Sequence, residues 1–397
     1  MVPNFIKNQL NFFRKSKKIP GEKFTEKTSQ VGTSIAYHTV GQPVWTPRAY
    51  DTLAYEGFQK NPIVYRCVSL TARSAASVPW KLYKGEEEVE DHPLLSLLKA
   101  PSPRQGRASF IEAVVAYLLL SGNSYVEALS LSGQEPTELY PLRPDRMKVI
   151  PSHNGDIAGY VYSVNGQEYS LNGEHILHLK HFHPLNDWYG MSPMEAIAGA
   201  IDQHNAVSAH NLSLLQNGAR PSGALILRHG QHHPYLTQQQ RKEFASLIQD
   251  GLVGESNSGC VVLIEGDYTW QELGMRLKDL DFIEGKKLSA REISQAYGVP
   301  PMLVGVSGDS TYANYREARF HFWEDTVLPV VDMVIEAFNQ WLAPRFDPNL
   351  RFVCAIDTIP ALAPRREMTW DKIVNADFLT LNEKRRAVGY GPLEGKE

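Results

Sequence analysis

The 397-residue sequence predicts an α+β fold, and three stretches carry that prediction. Residues 277–342 read as a helix, a short polar loop and a long helix. Residues 137–171 are strand-rich, with turns expected at Pro144-Asp145, Asn154-Gly155 and Asn165-Gly166. Residues 219–276 read as a small unit of strands and one helix, set between two helices like an insertion.

Residues 1 to about 50 are polar and irregular. Lys7, Arg14, Lys15, Lys17, Lys18 and Lys23 make this start basic, while Phe5, Ile6, Leu10, Phe12 and Phe13 add apolar character. The pattern reads as an arm that orders on a partner; a membrane-surface helix or a strap on another subunit are the alternatives. From Asn61 the chain turns regular. Pro62 opens a helix that Ile63, Val64, Cys67, Val68, Leu70 and Thr71 cover on one side. VPWKLYKG reads as a strand, HPLLSLLKAPSPRQ as a short helix stopped by proline, and ASFIEAVVAYLLLSGNSYVEAL as a buried helix, a turn and a strand.

Ser192 and Pro193 form a helix start, cap and first position. The helix is expected to run to about Asn217, closed by Gly218, and its middle, DQHNAVSAHN, is unusually polar. A helix wet on most sides is either exposed or lines something watery. The unit that follows comprises strand GALIL, helix LTQQQRKEFASLI, and strands CVVLIEG and YTWQEL.

In the helix of residues 277–297, Phe282, Lys286, Ala290, Ile293 and Tyr297 make a narrow apolar stripe. Gly298 and Val299-Pro300-Pro301 end it. The long helix starts near Tyr312 and runs to about Trp341, roughly 45 Å. Phe320, Trp323, Val327, Val330, Val334, Phe338 and Trp341 mark its buried side, and Pro329 is expected to kink it by removing a hydrogen bond from Asp325. LRFVCAID is a strand, PALAPRREMTW a proline-punctuated link, and residues 366–397 a short helical tail in which Thr380 and Glu383 form a capping box.

Hydrophobic residues at 43% and charged residues at 21% describe a globular chain, long enough for two or three packed units. A net charge of −4 argues against a protein that clings to nucleic acid everywhere. Cys67, Cys260 and Cys354 are scattered, which points to a reducing compartment without a disulfide frame. The longest apolar run, Ala113 to Leu120, is too short to span a membrane, and the first 25 residues lack the apolar core of a signal peptide. GxxxxGK[ST], HExxH and paired CxxC are absent, and no cofactor is implied. Glu174, His175, His178, His181 and His183 could suggest zinc, but leucines interrupt the shared strand face, and structural histidines are the better reading. His229, His232 and His233 read as a solvated loop, and Asp279, Asp281 and Glu284 as solvated helix charges rather than nuclease ligands.

DFIEGKKLSAREISQAYGVPPMLVG followed by TYANYREA resembles the portal proteins of tailed bacteriophages and gene transfer agents, in the branch typified by phage HK97. Asp281, Phe282, Glu284, Lys286, Glu292, Ile293, Gly298, Val299, Pro300, Pro301, Leu303, Gly305, Tyr312, Asn314 and Glu317 match the pattern, whereas Gly285 and Ser294 depart from it. NPIVYRCV, SGNSYVE, LYPLRPDRM, HILHLK, GMSPMEA, NGARPSGAL and TLNEKRR extend the resemblance over about residues 55–395. It implies an arm at 1–54, a wing at 55–190 completed by the long helix and strand of 313–360, stem helices at 191–218 and 277–299, a clip at 219–276, a tunnel loop at 300–312 and a crown at 361–397.

The function so implied is a ring, usually of twelve copies, that passes double-stranded DNA at one capsid vertex without bond chemistry of its own. Its partners would be the terminase large subunit, the head–tail adaptor and the major capsid protein, with no membrane. A ring of twelve would carry 12 × −4 = −48, repelling the phosphate backbone so that DNA slides. Ser307, Gly308, Asp309, Ser310 and Thr311 carry no large apolar group, so nothing anchors them in a core. Ser307, Ser310, Thr311 and Asn314 could hydrogen-bond phosphate briefly, and Arg316 is the nearest cation. A surface turn in which Ser310 or Thr311 caps the long helix is the plainer reading. A metal-dependent nuclease and a peripheral membrane protein are the rival functions.

Overall fold

A computed structural model describes residues 50–130, 135–152, 157–216, 223–227, 268–272, 282–306 and 312–387, with positions 238, 239 and 242. The N-terminal arm before residue 50, most of residues 217–281 and the loop 307–311 lie outside the described residues. The elements, in order, are helices α1 (Pro62–Ser77), α2 (Pro93–Lys99) and α3 (Arg107–Ser121), interleaved with strands β1 (Trp80–Lys84) and β2 (Glu87–Val89). Strands β3 (Asn123–Ser130), β4 (Pro136–Leu142), β5 (Met147–Pro151), β6 (Ile157–Val164), β7 (Gln167–Asn172) and β8 (Ile176–Lys180) follow. Helices α4 (Pro193–Ala196) and α5 (Ala198–Gln216) lead to strands β9 (Gly223–Leu227) and β10 (Tyr268–Glu272). The chain ends in α6 (Phe282–Ala296), α7 (Tyr312–His321), α8 (Leu328–Trp341), β11 (Leu350–Cys354), α9 (Ala363–Val374) and α10 (Leu381–Ala387).

Local chemistry sets the boundaries. Asn61 caps α1: its side-chain oxygen accepts from the amides of Ile63 at 3.0 Å and Val64 at 3.2 Å, and Pro62 fills the first position. Ser192 and Glu195 form a capping box at α4. The expected continuous helix from 193 is interrupted at Ile197, so α4 and α5 are separate segments.

All described strand pairs are antiparallel, in the orders β11-β1-β2, β4-β3-β8, β5-β6-β7 and β10-β9. The pairing of β1 with β11 brings Leu82 opposite Phe352. This joins the start of the described chain to the strand after the long helix, across more than two hundred residues. Both frame the main core, where Phe338 meets Trp80 and Phe110 edge-on at 5.6 and 6.2 Å. A second, smaller cluster of Tyr125, Leu142, Met147, Tyr160 and Ile176 lies between the two sheets of β3–β8. β9 and β10 pair across the inserted unit, Gly223 opposite Glu272, so its two ends leave and return side by side.

The long helix departs from the expected pattern. Between α7 and α8, Phe322–Val327 form a π turn, and the amide of Leu328 donates to the carbonyl of Trp323. The extra residue rotates the buried side: Phe322, Trp323, Thr326, Val327, Val331, Val334, Ile335 and Phe338 are buried, while Phe320, Val330 and Trp341 are only half-buried. Pro329 sits in the first turn of α8, and the carbonyls that lack its amide belong to the exposed residues Glu324 and Asp325, within reach of water. The segment expected as a proline-punctuated link is also helical. α9 begins at Ala363 with Pro364 in its first turn, where a missing amide costs the helix nothing.

Candidate channel-lining segment

α6 packs against α5 and α1. Ala290, Ile293 and Tyr297 are buried as the stripe requires, and Lys286 is half-buried. Ser289 and Ser294 join them in the interior. Each donates its hydroxyl back to its own helix, Ser289 to Gly285 O at 3.1 Å and Ser294 to Ala290 O at 2.8 Å, so neither leaves an unmet polar group. Ser294, a departure from the family pattern, lies beside Cys67 of α1, whose thiol burial pushes up to about 12.

The polar middle of α5 is not wet throughout. His204 is only 2% exposed. The side-chain amide of Asn61 reaches His204 Nδ1 and Asn205 Oδ1, both at 3.1 Å, and Asn205 donates to the carbonyl of Glu56 at 2.8 Å. Burial and the charge of Lys286 hold His204 below its usual range, so it stays a neutral acceptor. One asparagine thus caps α1 and clamps α5. The sequence placed the helix start at Pro62 but singled out neither the Asn61 cap nor the clamp. Gln203, Ala206, Ala209 and His210 form the exposed side of α5.

At the end of α6, Gly298 adopts φ +65°, and its carbonyl accepts from Thr326 Oγ1 at 2.6 Å. A Cβ at Gly298 would stand 2.6 Å from the same oxygen. Val299 is buried, and a 3-10 turn of Pro301–Val304 seats Leu303 and ends at Gly305, which adopts φ +86°. Ser307, Gly308, Asp309, Ser310 and Thr311 lie outside the described residues. The chain returns in α7, where Asn314, Tyr315, Arg316 and Glu317 are exposed. Arg319, one turn on from Arg316 and also exposed, is a second cation that sequence reasoning did not single out.

Within the histidine run, His178 has a structural role. His178 stacks on Tyr125 with ring centroids 4.3 Å apart and shares a bond with Asn123 Oδ1 at 3.1 Å. Asn123 in turn bonds both backbone groups of Gly190, fixing the point where the chain leaves β8 for α4. Burial, with Lys180 nearby, pushes His178 down to about 3. Of the suspected acidic trio, Asp279 and Asp281 are outside the described residues; Glu284 is exposed and paired with Lys287 at 2.5 Å. Among the described residues, His321, Glu324 and Asp325 are the one group whose donor atoms could meet at a metal. All three are exposed, and His321 already faces Glu317 at 3.4 Å and Asp325 at 3.2 Å. Among the described residues, no helix is long and apolar enough to cross a membrane.

Residues 62–389 match the family model described as phage portal protein. The chain belongs to that family. The portal protein of Enterobacteria phage HK97 is 24% identical over 348 residues, 84% of this chain and 79% of that protein. A chain from the neck of an empty GTA particle is 41% identical with a TM-score of 0.71, over 89% of this chain and 96% of that one. A chain from the neck of a native GTA particle computed with C12 symmetry is 40% identical with a TM-score of 0.69, over the same shares. The α+β portal fold expected from the sequence is the fold observed.

Gly298→Ala is expected to destabilise the protein by about 1–3 kcal/mol from the left-handed backbone alone, read as a lowered urea midpoint. Adding Thr326→Ala removes the collision but not the backbone cost, so the double variant should remain below wild type. For His178 the folded value lies below the unfolded value of about 6.5. Between the two, the unfolded chain binds more protons, so this contribution to stability is present above pH 6.5 and is lost as pH falls toward 3. His178→Gln should therefore narrow its stability deficit against wild type as pH drops from 7 to 4 in denaturation curves.

Proposed function

We propose that this chain is the ring subunit at one vertex of a phage-like capsid, the conduit for double-stranded DNA during packaging and release. The observation that carries the reading is the 40% identity, across most of both chains, to a subunit of a neck with twelvefold symmetry. In this reading residues 55–190 and 313–360 form the wing, α4–α5 and α6 the stem, residues 219–276 the clip, 300–312 the tunnel loop and 361–397 the crown. The role is one of position and passage rather than bond chemistry.

The loop between α6 and α7 is the segment we assign to the DNA. Its two ends are anchored by Leu303 and by the Thr326–Gly298 bond, while Asn314, Arg316 and Arg319 present polar and cationic groups on exposed helix surface. Such groups bind phosphate through side chains that exchange readily with water. Replacing Ser307–Thr311 by glycines is expected to leave rings intact by negative-stain microscopy and to lower the DNA retained per particle. Wild-type DNA content with an intact ring would refute the assignment.

The clip is the surface proposed for the terminase large subunit and then the head–tail adaptor, because β9 and β10 bring its ends together and let it fold as an outlying unit. Deleting residues 228–272 with a short linker should preserve the ring but abolish motor binding in pull-down with terminase. Undiminished packaging by that variant would remove the clip from this role.

A further inference from the structure

We propose that Asn61 and His204 form an acid-releasable latch between α1 and the α5–α6 pair, closed while the His204 ring is neutral and opened by a proton on its Nδ1. The inference concerns the fold of one chain and does not depend on the ring assembly proposed above.

The latch rests on which atoms can donate. Asn61 Oδ1 accepts from the amides of Ile63 and Val64 at 3.0 and 3.2 Å. Those two bonds fix which end of the side-chain amide is oxygen and which is nitrogen. The nitrogen, Nδ2, is therefore the end that meets His204 Nδ1 and Asn205 Oδ1, each at 3.1 Å. It has only hydrogens to offer, so His204 Nδ1 must accept, and the proton of the neutral ring sits on Nε2. A proton on Nδ1 would set two donors against each other. Turning the Asn61 amide over gives no relief, because Nδ2 would then face the two backbone amides and α1 would lose its cap. Asn61 and His204 are both buried, so water does not replace either partner while the junction is closed.

The surroundings do not rescue a charged ring. Among the described residues, the elements packed around it bring Glu56 from the turn Ala54–Gln59, Arg66 from α1, Asp202 from its own helix and Lys286 from α6. The Glu56 carboxylate is paired with Lys60 at 2.7 Å, and Glu56 gives the junction only its backbone carbonyl, which accepts from Asn205. Arg66 is exposed, and Asp202, two positions before His204 on the helix, faces another way. Lys286 is the charge that bears on His204, and with burial it opposes a second proton. The ring therefore binds a proton more readily in the open junction than in the closed one. Opening is favoured as pH falls below the ordinary histidine value of about 6.5.

The test is hydrogen exchange of the full chain at pH 7.5 and pH 5, resolved to single amides by mass spectrometry and corrected for the intrinsic effect of pH. The reporters are the amides of Ile63 and Val64, whose acceptor is Asn61 itself. Their protection should fall roughly tenfold at the lower pH, while that of the α8 amides holds. His204→Asn leaves an acceptor where Nδ1 stands and takes no proton, so its reporters should be equally protected at both pH values. Asn61→Asp keeps a cap but offers the ring an acceptor in place of a donor, so protection there should rise on acidification. Unchanged protection of Ile63 and Val64 in the wild type, or a loss shared with α8, would overturn the latch. So would a wild-type-sized loss in His204→Asn or in Asn61→Asp.

Discussion

The hydrogen bond from Thr326 to the carbonyl of Gly298 is the constraint on which the candidate channel segment depends. It joins the end of α6 to the π turn between α7 and α8. A Cβ at Gly298 would press against the hydroxyl of Thr326, and the π turn holds Thr326 inward beside Val327. Both flanks of the small, polar segment 307–311 are thereby held by the core.

The distribution of buried side chains makes the same separation over the described residues. α1, α3 and α8 carry the core, with Val64, Phe110 and Phe338 fully enclosed, and the β1–β11 pair closes it over a long sequence separation. α5, α7 and the two C-terminal helices bury far less.

Much of this was legible where the governing chemistry is local. Pro62, Ser192-Pro193 and the Thr380–Glu383 pair marked helix starts because what starts a helix lies within one turn of it. Gly298 with two following prolines marked the end of α6 for the same reason. The π turn left no mark, since one inserted residue changes which side chains face inward without altering composition; Phe320 was expected inside and Phe322 is there instead. The start of α9 was misread because Pro360 and Pro364 looked like breakers, although a proline in the first turn is compatible with a helix; most of α9 falls in the helical tail expected from residue 366. His204 looked solvated because its partner, Asn61, is far away in sequence. The loop residues Ser307–Thr311 were recognisable only by resemblance and by their lack of apolar side chains.

Charge and polarity fit the same division of roles. A net −4 per copy gives a ring that does not hold DNA by bulk attraction. Contacts that guide a sliding duplex must then come from a few groups at fixed places. Arg316 and Arg319 stand on the exposed side of α7, one turn apart, just beyond the polar loop. Glu317, beside them, is turned toward His321 at 3.4 Å. A cation on a rigid helix next to a loop of hydroxyls offers phosphate a brief partner, and the surrounding negative field limits how long it stays. Anchored flanks and sparse cations are what the proposed contact with a sliding duplex requires: groups that touch the DNA without stopping it.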